Sequence, residues 1–166
     1  MPALTNVVVV AASISLLASC ASDSYQVAAL QASDAGDQKT AVSLAKREVE
    51  RFSDKCSPTN RLECGTLALA YGALASYQIL DRDRVSGEGS FIQAKGALSL
   101  TDPTIRASAT GIVYRDVSEA FWKAGDQARA IVVFKEGVAA GADQYLFMSS
   151  AARAAGQRPA NQQSAE

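Results

Sequence analysis

One tetrad occurs twice in this chain with the same surroundings. Ala35-Gly36-Asp37-Gln38, followed by Ala41, Val42, Lys46 and Val49, returns as Ala124-Gly125-Asp126-Gln127, followed by Ala130, Ile131, Lys135 and Val138. The offset is 89 residues throughout, from Ala35 to Ala124. Each copy has Gly-Asp at a turn and an amphipathic helix after it. Downstream, spacings of three and four place the apolar residues on one helix face. A single unit of this kind cannot bury its own stripe and has to stack on copies of itself. These features predict an all-α fold built from helical hairpins.

The rest of the chain agrees in composition, being rich in alanine. Periodicity predicts helices over about 24–34, 38–52, 61–80, 90–100, 103–124 and 127–141, and a capping helix over about 143–155. Ala41, Ala45, Val49 and Phe52 share a face, as do Leu67, Ala70, Tyr71, Leu74 and Tyr77. Asp81-Arg82-Asp83-Arg84 and Ser86-Gly87-Glu88-Gly89 are expected to form a polar connection. Asp102-Pro103 is a helix start, with Asp as N-cap and Pro at the first helical position. Ile131-Val132-Val133-Phe134 has strand-forming side chains, but its flanks repeat at three and four and predict helix.

The hairpins resemble the tetratricopeptide repeat. Val117, Phe121, Gly125, Ala130 and Phe134 match its consensus Leu, Tyr, Gly, Ala and Phe, while Ser118, Gly137 and Ala142 depart from its Gly, Ala and Pro. A degenerate middle copy shows Leu67-Ala68 with Tyr71, then Ala97-Leu98-Ser99-Leu100 before Asp102-Pro103. The resemblance implies a short α-solenoid of about three antiparallel helix pairs plus a C-terminal capping helix. In that family the first helix of each pair lines a concave groove that holds a partner segment. It assigns Ile112, Arg115, Glu119, Trp122 and Lys123 to the groove in the best copy, and Leu62, Gly65, Leu69, Gly72 and Ala73 in the middle one. Trp122 beside Arg115 and Lys123 has the character of a binding hot spot; the alternative is packing on a neighbouring helix. The small residues of the middle copy suit either an apolar groove floor or a tight helix crossing.

At the N-terminus, an apolar run from Val7 to Ala18 leads to Leu17-Ala18-Ser19-Cys20. This resembles the lipobox of bacterial lipoproteins, in which the cysteine becomes the lipidated N-terminus. The run is shorter than a membrane span requires. One departure is the lack of Lys or Arg in Met1–Asn6. The alternatives are an ordinary secretory signal or an uncleaved helix. The resemblance implies a signal peptide over 1–19 and a lipidated anchor and linker over 20–23; the repeats place the helical domain over 24–156, and the polar composition of 157–166 predicts a disordered tail. Ala21 follows Cys20 directly, which by the same resemblance favours the outer membrane. With Cys20 lipidated, Cys56 and Cys64 remain, and an exported chain meets an oxidising compartment. A structural disulfide across this turn sequence is expected, contributing about 2.5 kcal/mol; two free thiols are the alternative.

The search for chemistry yields little. Histidine is absent, which removes the commonest general base and metal ligand. Ser43-Leu44-Ala45-Lys46 matches the Ser-x-x-Lys of penicillin-recognising enzymes but lacks that family's supporting elements. Gly87-Glu88-Gly89 has no strand–helix context, and Arg82 and Arg84 neutralise Asp81 and Asp83. Net charge is −1 with no basic block, against a nucleic-acid partner. No catalytic residue, metal or cofactor is expected beyond the covalent lipid on Cys20. Similar repeat lipoproteins serve as pilotins and assembly factors for pili, secretion systems and outer-membrane proteins. The expectation is therefore a non-enzymatic outer-membrane adaptor with a protein or peptide partner from the cell envelope. A structural, self-associating envelope protein is the alternative, and an enzyme or small-ligand receptor is the third.

Overall fold

The computed structural model describes residues 24–156. The lipobox with Cys20, the signal segment and the tail beyond Gly156 lie outside the described residues. Seven α-helices follow one another: α1 Tyr25–Asp34, α2 Gln38–Ser53, α3 Arg61–Leu80, α4 Arg84–Leu100, α5 Pro103–Lys123, α6 Gln127–Ala139 and α7 Ser150–Ala154. A 3-10 turn, Gln144–Met148, precedes α7. Each of α1/α2, α3/α4 and α5/α6 packs as a hairpin, α3 packs in turn on α2 and α5, and the 3-10 turn and α7 cover the end of α5/α6.

One turn closes all three hairpins. Asp37, Asp83 and Asp126 accept from the backbone N–H of Thr40, Ser86 and Arg129, at 3.0, 3.1 and 3.0 Å. The residue before each aspartate sits at positive φ: Gly36 at 84°, Arg82 at 68° and Gly125 at 90°. The same three backbone bonds close each preceding helix, for example Asp37 N–H to the Ala32 carbonyl, Asp83 N–H to Gln78 and Asp126 N–H to Phe121. Each carboxylate thus satisfies a donor that the helix start leaves open. The middle turn is a full copy in which arginine stands where glycine is expected.

Aligned on these turns, the helix crossings also repeat. The matching positions are Ala29 and Ala41, Ala75 and Gly87, and Ser118 and Ala130, and each of these residues is buried. A Cβ on Gly87 would lie 2.6 Å from Ile79 Cγ1 and 3.1 Å from the Ala75 carbonyl oxygen. Backbones this close leave no room for a side chain. Ser118 closes the third crossing by donating to the Ala130 carbonyl at 3.0 Å.

Two expectations are corrected here. Ser86–Gly89 is the first turn of α4 rather than a connection, because Asp83 caps it and Gly87 is the contact point with α3. The capping helix over 143–155 is broken. Asp143 caps the 3-10 turn and Ser149, 1 % exposed, caps α7 with a bond from Ala152 N–H at 3.1 Å. Ile131–Phe134 is helical, with Val133 and Phe134 fully buried.

Cys56 and Cys64 are joined by a disulfide between the turn after α2 and the first turn of α3, their Cα atoms 4.4 Å apart. Toward the other end, the core is aromatic. Phe91 meets Tyr114 edge-on at 5.1 Å and Phe134 meets Phe147 at 5.7 Å. Charges join α4 to α6. Arg129 grips Glu88 with two bonds of 2.8 and 2.9 Å and Glu136 with one of 2.9 Å, while Arg84 reaches Asp126 at 2.7 Å. Both guanidinium groups lie over the buried Phe121 ring, at 5.5 and 5.7 Å from its centroid. Cation–π contact of this kind suits Arg on a desolvated ring.

Candidate functional site

The first helices of the three hairpins form a row, α1 to α3 to α5. From Ala109 to the end of α5, the residues left partly or fully open are Ile112, Arg115, Asp116, Glu119, Trp122 and Lys123, a single stripe at helical spacing. On α3 the open stripe is Leu62, Thr66, Leu69, Ala73 and Leu80. On α1 it includes Val27 and Leu30, 57 % and 52 % exposed.

The turns fix the register between copies. Leu69 aligns with Ile112, Gly72 with Arg115 and Ala73 with Asp116, whereas the sequence alignment set Leu62 against Ile112 and Gly72 against Trp122. Leu62, Leu69 and Ala73 do lie on the open stripe. Gly65 and Gly72 do not, because both are buried where α3 meets the start and middle of α5. A Cβ on Gly65 would come 2.8 Å from Ile105 Cδ1, and one on Gly72 would come 3.1 Å from Val113 Cγ2. These are helix crossings, so Gly72 offers no surface to a partner.

Among the α5 residues, Glu119 is already engaged. Its carboxylate accepts from Ser150 N–H at 2.9 Å and from Ser150 Oγ at 3.0 Å, at the start of α7. A carboxylate there also meets the positive end of the helix dipole. Arg115 reaches Asp116 Oδ1 through Nε and Nη2, each at 2.7 Å. Trp122 is half-buried and packs on the core, and its indole N–H has no acceptor among the described residues. Lys123 is exposed.

Two residues not marked by the sequence belong to this face. Burial pushes the Asp116 carboxyl above the usual aspartate range; Glu119 adds to this, while Arg115 and Lys123 oppose it. With 37 % of the side chain reaching solvent, water tempers the effect. Tyr77, 8 % exposed, lies near enough to Asp116 and Asp34 that, after burial, both charges push its phenol up. Its hydroxyl has no partner among the described residues. Asp34, Tyr77 and Asp116 come from α1, α3 and α5, and no local spacing in the sequence connects them.

Among the described residues no helix is long and apolar enough to cross a membrane, and no cluster of His, Cys, Asp and Glu could hold a metal ion. No protein-family model, curated protein or solved structure matches the chain.

Proposed function

We propose that the protein is a lipid-anchored, non-enzymatic adaptor on the periplasmic side of the bacterial outer membrane. The open face of the first-helix row holds a segment of an envelope protein. One observation carries this reading: Val27, Leu30, Leu69 and Ala73 leave apolar surface open on α1 and α3, beside Arg115, Asp116, Trp122 and Lys123 on α5. Apolar anchors next to a half-buried tryptophan and fixed charges are what a bound helix or extended segment requires. The lipobox at Leu17–Cys20 supplies the anchor, because multiple acyl chains hold a protein to a bilayer permanently at about 0.8 kcal/mol per methylene. The tetratricopeptide resemblance supports the same use of the face.

The test is photo-crosslinking in intact cells, with the reactive residue placed at Leu30, at Trp122, or at Ser43 on the outer side of α2. One envelope protein is expected from Leu30 and Trp122 and not from Ser43, and Cys20→Ser should abolish its capture. The same products from all three positions, or none, reject the reading. Self-association is a second reading, drawn from Val85 and Ile92 on α4, 86 % and 59 % exposed. It requires a mass that grows with concentration in light scattering.

A further inference from the structure

A pocket of about 180 Å³ lies between α4, α5 and the end of α6, away from the open face of the first-helix row. Its walls include Lys95 and Leu98 from α4, Arg106, Thr110 and Tyr114 from α5, and Ala140. Thr110 and Tyr114 are one helical turn apart and only 3 % and 5 % exposed. Neither hydroxyl has a hydrogen-bond partner among the described residues. Both hydroxyls reach solvent at the recess, so a ligand seated there can take the bonds that water otherwise makes.

The charges around them identify that molecule. Arg106 donates from Nε and Nη2 to the Thr101 carbonyl, at 3.2 and 2.7 Å. This fixes the guanidinium plane and leaves Nη1 unengaged. Lys95 lies over the Phe91 ring, with Nζ 4.7 Å from the centroid, and 3.7 Å from Glu136. The carboxylates near these two cations are already engaged: Arg129 holds Glu136 and Glu88, and Asp102 caps the start of α5. Burial, then the Glu136 charge, pushes the Tyr114 phenol up, so the hydroxyl stays protonated and able to donate. Leu98 and Ala140 supply apolar wall.

We propose that this pocket binds a small organic carboxylate, its headgroup held by Arg106 Nη1, Lys95 and the Thr110 and Tyr114 hydroxyls, its apolar body against Leu98 and Ala140. Size limits the ligand, since a cavity of about 150 Å³ holds a benzene ring and drug-sized molecules need about 300 Å³ or more. The site is independent of the adaptor function.

The experiment is an NMR titration of the full chain with benzoate, with benzyl alcohol as the neutral probe of similar size and inorganic phosphate as the anion without an apolar body. Benzoate should saturate and shift the signals of Thr110, Tyr114 and Leu98, and the other two probes should bind at least about tenfold more weakly, since a site built around polar groups rejects ligands that leave them unpaired. Tyr114→Phe should weaken benzoate by about fivefold to tenfold, the worth of one hydrogen bond, without lowering the melting temperature, because that hydroxyl has no protein partner to lose. Lys95→Gln should weaken it as well. Absence of saturation, equal binding of either control probe, or unchanged affinity in both variants would overturn the proposal.

Discussion

Gly137→Ala should destabilise this protein, although alanine is both the better helix former and the residue that the tetratricopeptide consensus places there. Gly137 lies inside α6, where alanine by propensity alone would gain about 1 kcal/mol. The site has no room for it. An added Cβ would lie 2.8 Å from Tyr114 Cβ, 2.9 Å from Tyr114 Cγ and 2.8 Å from Leu146 Cδ2. Carbon atoms prefer separations of about 3.5–4.0 Å. Leu146 is fully buried and cannot swing away, and Tyr114 Cβ moves only with the α5 backbone. Overpacking of this kind costs about 1–3 kcal/mol, and three close contacts put it near the upper end. The net loss is about 1–2 kcal/mol. Gly89→Ala is the matched control. It too lies inside a helix, α4, but its added Cβ would meet nothing within 4 Å. It should gain about 0.5–1 kcal/mol. Urea unfolding of both variants reads the difference as opposite shifts in midpoint at constant slope. Equal stabilisation by the two substitutions would refute the claim that α6 and α5 meet at Gly137 without slack.

Arg82→Gly should raise stability by about 0.5–1 kcal/mol in thermal unfolding, because Arg82 is held at φ 68° in an exposed turn where glycine pays no Cβ penalty. Glu88→Gln should lower stability at neutral pH by about 1 kcal/mol, the worth of a charge-assisted pair discounted for partial exposure. The bonds from Arg129 hold the Glu88 carboxyl below its ordinary value of 4.5. Its contribution is therefore complete above that value and is lost as pH falls through the lowered one. The gap between wild type and Glu88→Gln should close on acidification, and a gap unchanged down to pH 3 would contradict the pairing. Glu48, 5 % exposed, keeps Oε2 without a hydrogen bond and 3.9 Å from Arg51, too far for one. Glu48→Leu should therefore stabilise by about 1 kcal/mol, and a lower denaturation midpoint would argue against this.

The hairpin ends were legible because their signals are local. Asp102 caps where the sequence placed it, the turns at Gly36-Asp37 and Gly125-Asp126 fall where expected, and α3 spans the expected Arg61–Leu80. The middle turn was hidden by one residue. With arginine at 82 in place of glycine, Asp81–Gly89 looks like a polar linker, and the register of the second copy slips. Gly87 reads as a helix breaker until its neighbour is known to be the Ala75 carbonyl. The break at Ser149 depends on that serine being buried under α5 and α6, which periodicity does not reveal. The open face was half legible. Its α5 stripe follows from spacing, but the loss of Glu119 to Ser150, and the meeting of Asp34, Tyr77 and Asp116, arise only from stacking. The pocket beside Tyr114 could not be foreseen, since its hydroxyls sit at positions that read as core.

The disulfide between Cys56 and Cys64 has a mechanical consequence. It bonds the turn that follows α2 to the first turn of α3, which in turn lies against α5. Tension entering the folded domain from its N-terminal side crosses from α2 to α3 through two sulfur atoms. The loop from Ser57 to Glu63 carries none of it, and the first hairpin can be pulled without lengthening the path to the second.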